Sequence, residues 1–503
     1  MTSIDERINE FTRQGKFHDL VKMLTEEISQ VTLQEEKLHL EYQLAEAYYM
    51  IREFKRAKKL AEKILPVFQE LSNHTMVGDT ENLLGKIFRI HQHYQDALVH
   101  YKNAEEAYKL AENNKGLSKI YHNVGNVYIF LNRFKEAKKF HLKALQAAKQ
   151  EESLDAIASS HLNIGSMFYQ NGQVDQALSH FEKARELFEE IQDIPSLAAT
   201  YHNLGEIYLL RQDYNAAIKN SSKAESFYDD QKNIIGQRLA LITLARSLKA
   251  TESLDRAIKI YNQIIKLKPT EDIFLELGEC YLKSNQLEDA KKVFEKISGS
   301  PTSSLHSVGY SLDYLARIAI DQREFDKAQD RYIDLLEVLE KITPQDPESM
   351  ASTRGNLGYV FLKMGNFERA WEFFCLASDY FKKKKNWEEL ITLGSNFRNE
   401  FVIMHDYDRA ITVLRDYILP AIKKSQDRMT ENQYHYELAL LIHLNGNTDE
   451  GLQYWQRKHK KVSLQKYSAP ILTTIVEEKT KKKLEKQHLK FLKRVIDLKR
   501  SKE

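Results

Sequence analysis

Cysteine, proline and glycine are all scarce in this sequence of 503 residues. The two cysteines, Cys280 and Cys375, lie far apart and outside any CxxC spacing, which argues against a disulfide framework and against a thiolate metal site. The 18 glycines and eight prolines make up about 5% of the chain, against roughly 12% in an average protein. Because charged residues reach 29%, this composition favours long helices with solvated faces.

Long apolar segments and enzyme motifs are missing as well. No window approaches the 18 or more apolar residues that cross a bilayer, and the first residues lack a basic stretch followed by an apolar core, so we expect a soluble, cytoplasmic protein. The motifs GxxxxGK[ST], GxGxxG, HExxH and GxSxG do not occur. We therefore predict no enzymatic activity, no cofactor and no metal. An active site assembled from side chains of distant repeats is the one route to catalysis that stays open.

A small residue recurs inside an apolar helical pattern at intervals of forty residues, and a second small residue stands twelve positions later each time. Two helices packed about 8–10 Å apart leave no room for a large side chain where they cross. The spacing therefore predicts a helix, a short turn and a second helix in each repeat, and the looser phase from Ile8 to Gly451 gives twelve such pairs. The regular set comprises Ala45, Gly85, Gly125, Gly165, Gly205 and Ala245, followed respectively by Ala57, Ala97, Ala137, Ala177, Ala217 and Ala257.

Two stretches carry a resemblance to a known family: YHNVGNVYIFLNRFKEAKKFHLKAL at 121–145 and YHNLGEIYLLRQDYNAAIKNSSKA at 201–224 resemble tetratricopeptide repeats. The forty-residue period and the N-L-G-x-x-Y phrase are similar to the longer-helix repeats of Pins/LGN-type adaptors and kinesin light chains. The resemblance implies an all-α, right-handed superhelical solenoid whose concave groove receives an extended or partly helical peptide. One helix pair cannot bury its apolar face alone, so we expect the repeats to stack.

Departures from the period predict how the chain is organised. The step from Ala245 to Gly278 is 33 residues, so one repeat is shorter than the others. The stretch SGSPTSSLHS is rich in glycine, serine and proline, which is typical of a loop or hinge. The expected segments are a regular solenoid at 1–297 with the shorter repeat near 265–297, a hinge loop at 298–307, a more divergent solenoid at 308–470, and a basic amphipathic helix at 471–503 that caps the array.

Candidate binding residues follow from the helical geometry of a repeat numbered so that its first small residue is position 8. At 100° per residue, positions 7, 8 and 11 point in one direction, and positions 2, 5, 6, 9, 12 and 13 point the other way, towards a groove. A primary amide offers two donors and an acceptor, which can pair with a peptide backbone whatever its side chains. In the resembled adaptors, groove asparagines do this. The candidate groove residues are His122, Asn123, Asn126, Asn163, Ser166, His202, Asn203, Glu206 and Asn356.

Other interpretations of these residues stay open. The asparagines would equally serve to cap or cross-link neighbouring helices without touching a ligand. His122 and His202 share position 5, but they lie two repeats apart, which corresponds to ~16–20 Å. A zinc ion needs ligands about 2 Å from itself, so these two histidines cannot share one.

The C-terminal end of the chain is strongly basic. From Arg457 to Glu503 there are 16 Lys and Arg against five Asp and Glu, whereas the preceding residues carry 58 basic and 67 acidic side chains. Apolar residues recur there at helical spacing, and three roles are open: a cap on the last repeat, contact with an acidic partner or with the acidic body of the chain, and contact with nucleic acid or an anionic membrane. The apolar stripe consists of Leu484, His488, Phe491, Leu492, Val495 and Leu498.

Taken together, these patterns predict an adaptor or scaffold that binds a peptide segment of a partner protein in the groove. One alternative is a peptide- or ligand-controlled regulator, similar to the bacterial peptide-sensing proteins that carry tetratricopeptide domains. Another is a structural subunit of a larger assembly. The sequence identifies neither the partner nor the oligomeric state.

Overall fold

The structure, a computed structural model, describes residues 4–13, 15–425, 428–458 and 478–500. Within these ranges the chain forms 25 helices and no strand, and consecutive helices pack against each other in pairs. The expected all-α architecture of twelve helix pairs followed by a last, capping helix is thereby confirmed. The chain divides into two compact bodies, an N-terminal body Met1–Lys268 and a C-terminal body Pro269–Glu503.

The N-terminal body contains seven helix pairs of great regularity, because each helix from the third to the thirteenth has 17 residues. Its helices are α1 Ile4–Arg13, α2 Phe17–Gln30, α3 Gln34–Met50, α4 Phe54–Glu70, α5 His74–Ile90, α6 Tyr94–Leu110, α7 Asn114–Phe130, α8 Phe134–Gln150, α9 Leu154–Gln170, α10 Val174–Glu190, α11 Ile194–Leu210, α12 Tyr214–Asp230, α13 Ile234–Ala250 and α14 Leu254–Leu267.

The C-terminal body is less regular. Its first pair is the expected shorter repeat, with helices of 13 and 12 residues. The helices are α15 Glu271–Lys283, α16 Leu287–Ser298, α17 Leu305–Asp321, α18 Phe325–Lys341, α19 Pro347–Lys363, α20 Phe367–Lys384, α21 Trp387–Ile403, α22 in three consecutive parts (Tyr407–Val413, the π-helical turn Leu414–Ile418, and Leu419–Ser425), α23 Arg428–Leu444, α24 Thr448–Lys458 and α25 Glu478–Arg500.

The segment 298–307 lies inside the C-terminal body, between α16 and α17. There the backbone N–H of Ser304 donates to both carboxylate oxygens of Glu271, at 3.1 Å each. The division of the chain falls instead between Lys268 and Pro269. A hinge role for 298–307 stays a prediction, and residues 459–477 of the expected C-terminal segments lie outside the described residues.

Three-residue turns set the forty-residue period of the N-terminal body. In the turn after α3, the N–H of Glu53 donates to the carbonyl of Tyr48 at 2.9 Å, which closes α3 with a left-handed residue, Arg52, at φ 64°. The carbonyl of the same Glu53 accepts from the N–H of Ala57 at 3.1 Å and so opens α4. One residue therefore ends one helix and starts the next, and helix plus turn repeat every twenty residues.

The small residue at position 8 is required by the side chain at position 24, on the second helix of the same repeat. A Cβ atom added to Gly165 would lie 2.6 Å from the ring of Phe181, and one added to Gly125 would lie 2.7 Å from His141. Both distances are far inside van der Waals contact. At these two crossings a ring packs directly on the glycine backbone, which explains why small residues stand there, as predicted.

A buried chain of polar side chains joins three helices of the N-terminal body. The Nδ1 atoms of His122 on α7 and His141 on α8 lie 3.0 Å apart, and Nε2 of His122 lies 2.9 Å from Oγ of Ser160 on α9. His122 is 8% exposed and His141 is fully buried. Burial lowers the pKa of His122 to about 3, with the neighbouring His141 acting in the same direction, and burial lowers the pKa of His141 to about 4.

The C-terminal body departs from the small-residue rule at Arg398, which occupies position 8 of its repeat. Its guanidinium lies 2.9 Å from the carboxylate of Glu437, and both side chains are 0% exposed. Removing one partner of such a buried pair leaves an uncompensated charge, which costs about 3–5 kcal/mol. The pair therefore ties α21 to α23 where other repeats use close helix packing.

Helix α25 covers α23 in the C-terminal body. Leu484 and Phe491 are buried, and the ring of Phe491 stacks on His443 of α23 with centroids 5.1 Å apart. His488 of α25 stands edge-on to Tyr436 of α23 at 5.7 Å. The expected cap is confirmed for this part of the stripe; the side chains of Val495 and Leu498 lie outside the described residues. Several lysines of α25 remain exposed, among them Lys482, Lys483, Lys486, Lys490 and Lys493.

The turn geometry predicts a backbone penalty at Gly172, which occupies the left-handed position of the turn between α9 and α10 at φ 71°. An added Cβ would meet no atom within 4 Å, so Gly172→Ala tests the backbone alone. We expect a loss of about 1 kcal/mol in the free energy of unfolding by urea. Asn171→Ala is the control, because φ at Asn171 is −87°; equal effects in the two variants would contradict the explanation.

The buried histidines predict a loss of stability in acid. In the unfolded chain a histidine takes up a proton near pH 6.5, whereas His122 and His141 stay neutral in the folded chain down to about pH 3 and 4. Between pH 7 and pH 5, protonation therefore stabilises the unfolded state by about 2 kcal/mol per buried histidine, and the free energy of unfolding falls by the same amount. The measurement is the urea unfolding free energy as a function of pH.

The matched variant for this experiment replaces His122 and His141 by Leu and Phe, the residues that stand at the same positions of the next repeat as Leu162 and Phe181. Its stability should fall less steeply between pH 7 and pH 5 than that of the natural chain. Identical slopes would show that these two rings do not govern the acid response.

The capping contact predicts that Phe491→Ala lowers the free energy of unfolding of the C-terminal body by about 3 kcal/mol, since Phe491 is fully buried. Leu489→Ala on the same helix is the control, because Leu489 is 64% exposed. Differential scanning calorimetry of the full chain measures both. An unchanged melting temperature for Phe491→Ala would mean that α25 does not act as a cap.

Candidate functional site

The first helices of consecutive repeats lie next to each other in the N-terminal body, and their positions 6 and 9 share a face. Polar contacts cross between neighbours on this face. The amide of Asn123 on α7 donates to the side-chain oxygen of Asn82 on α5 at 2.8 Å, and the hydroxyl of Thr243 on α13 donates to Glu206 on α11. We call this surface the first-helix face.

Cavities at matched positions show where the first-helix face is concave. In the N-terminal body, a cavity of about 360 Å³ is lined by Gln43 at position 6 and by Glu46 and Lys86 at position 9. In the C-terminal body, a cavity of about 290 Å³ is lined by Asn356 at position 6 and Asp313 at position 5. Position 6 therefore borders a recess in each body, together with position 9 in the N-terminal body and with position 5 in the C-terminal body.

The three asparagines at position 6 of successive repeats are placed alike but are bonded differently. Asn123, Asn163 and Asn203 are all half-buried, one each on α7, α9 and α11. Asn123 uses one N–H in its contact with Asn82. Asn163 and Asn203 have no hydrogen-bond partner within the described chain, so their donors and acceptors are available to a bound molecule.

Position 9 carries a second, more varied set. Asn126 is half-buried and without a hydrogen-bond partner among the described residues, whereas the hydroxyl of Ser166 donates to the carbonyl of Leu162 on its own helix at 2.9 Å. Glu206 accepts hydrogen bonds from Thr243 and from the hydroxyl of Tyr169, the latter at 3.4 Å. This part of the face is therefore cross-linked, with a carboxylate at its centre.

The two candidate histidines differ in their surroundings. His122 departs from the groove expectation, because His141 and Ser160 engage both of its ring nitrogens in the core. The physical reason is that His141 at position 24 and Ser160 on α9 offer polar partners in the core, where other repeats place an apolar ring such as Phe181. His202 is half-buried, and burial lowers its pKa while the charge of Glu206 opposes that shift.

Sequence reasoning missed the residues that bridge the first helices. Lys86 reaches towards Glu46 of the preceding repeat, with 3.8 Å between the ammonium and a carboxylate oxygen, and Tyr169 and Thr243 flank Glu206. All of them stand at positions 6, 9 or 12. These residues could have been found in the sequence by comparing the same positions between neighbouring repeats instead of within one repeat.

Asn356 of the C-terminal body is exposed. It borders the recess between α17 and α19, which we call the α17–α19 pocket. In the part of the chain that the structure describes, no group of three or more His, Cys, Asp or Glu side chains is arranged to hold a metal ion. None of the described helices is long and apolar enough to cross a membrane.

Comparison with known proteins agrees with this geometry. Models of the tetratricopeptide repeat match residues 118–151, 156–230, 240–271 and 272–303. Among curated proteins, the BBSome complex member BBS4 of Bos taurus is 26% identical over 172 residues, which cover 34% of this chain and 29% of that protein. The chain thus aligns with less than a third of that relative's length.

Solved structures give the same picture of the fold. The apo form of RapI is 13% identical and matches 70% of this chain and 99% of its own, with a TM-score of 0.50. The apo form of the quorum sensor NprR from B. thuringiensis is 16% identical and matches 75% of this chain and 99% of its own, with a TM-score of 0.39. The matches of the repeat models, together with the stacked helix pairs, identify the chain as a tetratricopeptide repeat protein.

Proposed function

We propose that this chain is a non-enzymatic protein-interaction scaffold that holds an extended segment of a partner along the first-helix face of its N-terminal body. The observation that carries the proposal is the pair Asn163 and Asn203. They occupy the same position of consecutive first helices, they are half-buried, and neither has a hydrogen-bond partner in the described chain. A segment that covers these side chains could therefore form hydrogen bonds with both amides.

The spacing of these amides suits an extended backbone. Neighbouring packed helices lie about 8–10 Å apart, and an extended chain rises about 3.3 Å per residue, so one amide meets the bound backbone about every third residue. An amide can donate to a carbonyl and accept from an N–H at once. Recognition of this kind is tolerant of the partner's side chains, and Asn126 adds a further amide at position 9 of α7.

The two alternatives differ in their support. A structural subunit of a multiprotein assembly is favoured by the relative BBS4, whose name makes it a member of a complex. A peptide-controlled regulator rests on likeness to RapI and NprR, and at 13% and 16% identity that likeness concerns the fold alone. A cytoplasmic location and an acidic partner for the exposed lysines of α25 stay predictions.

The proposal predicts that the triple variant Asn123→Ala, Asn163→Ala and Asn203→Ala loses peptide affinity without losing its fold. The probe is a peptide selected on the full natural chain from a displayed library of random sequences. Each neutral hydrogen bond contributes about 0.5–1.5 kcal/mol, so three lost bonds weaken binding on the order of ten- to a thousandfold. Isothermal titration calorimetry gives the affinity, and thermal melting followed by circular dichroism tests the fold.

The matched control removes three exposed amides from second helices: Gln146→Ala on α8, Gln176→Ala on α10 and Asn215→Ala on α12. We expect this variant to bind as the natural chain does. Equal affinity in the position 6 variant would move the binding site elsewhere. A large drop in its melting temperature would instead show that the asparagines cross-link helices.

A further inference from the structure

The α17–α19 pocket of the C-terminal body combines an apolar floor with an acidic, aromatic rim. Leu335, Leu339 and Ile342 form the floor, and each is less than a tenth exposed. Tyr310 and Asp313 from α17 stand on the rim, opposite Asn356 of α19. From this arrangement we infer that the pocket binds the side chain of an arginine in a partner protein.

The rim residues of α17 share one face of the helix. His306, Tyr310 and Asp313 follow each other at intervals of four and three residues, so all three side chains border the recess. The opposite wall comes from α19 and its N-terminal cap, where Asp346 precedes the helix. The recess thus lies between two consecutive first helices, on the first-helix face of this body.

The charges of the pocket favour a cation. Its lining contains two carboxylates, Asp313 and Asp346, and no lysine or arginine. Asp346 stays ionised, because hydrogen bonds from the Ser349 hydroxyl and from backbone N–H groups lower its pKa. The two carboxylates attract a cation to this site and repel an anion.

Asp313 has a neighbouring cation that is largely solvated. Nη1 of Arg317 lies 3.5 Å from Oδ2 of Asp313, and the Arg317 side chain is 62% exposed. Burial raises the pKa of Asp313, with Arg317 opposing. A cation placed inside the pocket would stabilise the ionised form of Asp313 more strongly than Arg317 does, because water screens the charge of an exposed side chain.

The remaining groups select arginine over lysine. The ring of Tyr310 is 62% exposed and offers a face on which a planar guanidinium can stack. The carboxylate of Asp313 can accept two parallel N–H bonds, and the side-chain oxygen of Asn356 can accept another. The methylene stem would lie against the apolar floor, as long charged side chains commonly do.

The inference rests on the proposed function in one respect, since it takes a first-helix face as a surface that binds a partner protein. In the C-terminal body this surface would recognise a side chain, whereas the asparagines of the N-terminal body would recognise a peptide backbone. A cavity of about 290 Å³ is at the lower end of the range for small-molecule sites and suits a single side chain.

The test uses the full chain and three short probes: acetyl-Gly-Arg-Gly-amide and the same peptide with citrulline or lysine in place of arginine. Citrulline keeps the shape of arginine without its charge. Methyl NMR signals of Leu335, Leu339 and Ile342 report binding at the floor. We expect the arginine peptide to shift these signals with a millimolar Kd, citrulline to bind at least about tenfold more weakly, and lysine to fall between them.

Two variants locate the contact. Asp313→Asn should weaken the arginine peptide about tenfold, and Tyr310→Leu should weaken it several-fold without affecting folding, since that ring is exposed. Asp330→Asn on the outer surface of α18 is the control for loss of one negative charge and should bind as the natural chain does. If Asp313→Asn fails to fold, Tyr310→Leu and the citrulline probe still decide the question.

Several results would overturn the inference: no shift of the floor methyls with 20 mM arginine peptide, equal binding of citrulline and arginine, or equal loss in Asp313→Asn and Asp330→Asn. If the lysine peptide bound as tightly as the arginine peptide, the preference of the pocket for a guanidinium group would be rejected. A failure here leaves the proposed function standing, because its asparagines lie in the N-terminal body. Conversely, loss of the asparagine effect would leave arginine binding measurable on its own.

Discussion

The three-residue turn is the constraint on which the N-terminal body depends. In the turn after α3, Glu53 closes one helix through its N–H and opens the next through its carbonyl, so the turn needs only three residues. Because the helices from α3 to α13 all have 17 residues, every helix meets its neighbours in the same register. This register brings the side chain at position 24 onto the small residue at position 8, as a ring on Gly85, Gly125 and Gly165 and as a serine on Gly205. It also aligns positions 6 and 9 along the first-helix face.

Much of this arrangement is visible in the sequence. The forty-residue recurrence from Ala45 to Ala245 predicts the helix pairs and their crossings, because only small residues fit where two helices pack closely. The apolar stripe of α25 likewise predicts the cap. The left-handed residues of the turns, such as Arg52 and Gln92, cannot be recognised from the sequence, since most of them are not glycine.

The candidate site was only partly predictable, since the environment of a side chain depends on the neighbouring repeat. On a helical wheel His122 at position 5 and Asn123 and Asn163 at position 6 all fall on the side assigned to the groove. In the structure, His122 bonds to His141 in the core and Asn123 bonds to Asn82, whereas Asn163 stays unbonded among the described residues. The α17–α19 pocket was not foreseen beyond Asn356, because its floor and rim come from three helices whose contacts a single repeat does not encode.

The shared turn residue also limits how this chain can change its length. One residue inserted into such a turn would rotate the next helix by about 100°, and its apolar side would then face water. Insertions and deletions in the N-terminal body are therefore tolerated chiefly as whole helix pairs of forty residues. The connections before α17 and α19 are longer, and the three-residue connection before α15 does not share one residue between its helices, so single-residue changes can accumulate at these places. The regular body is thus fixed in length, and variation among related chains should concentrate at these three connections.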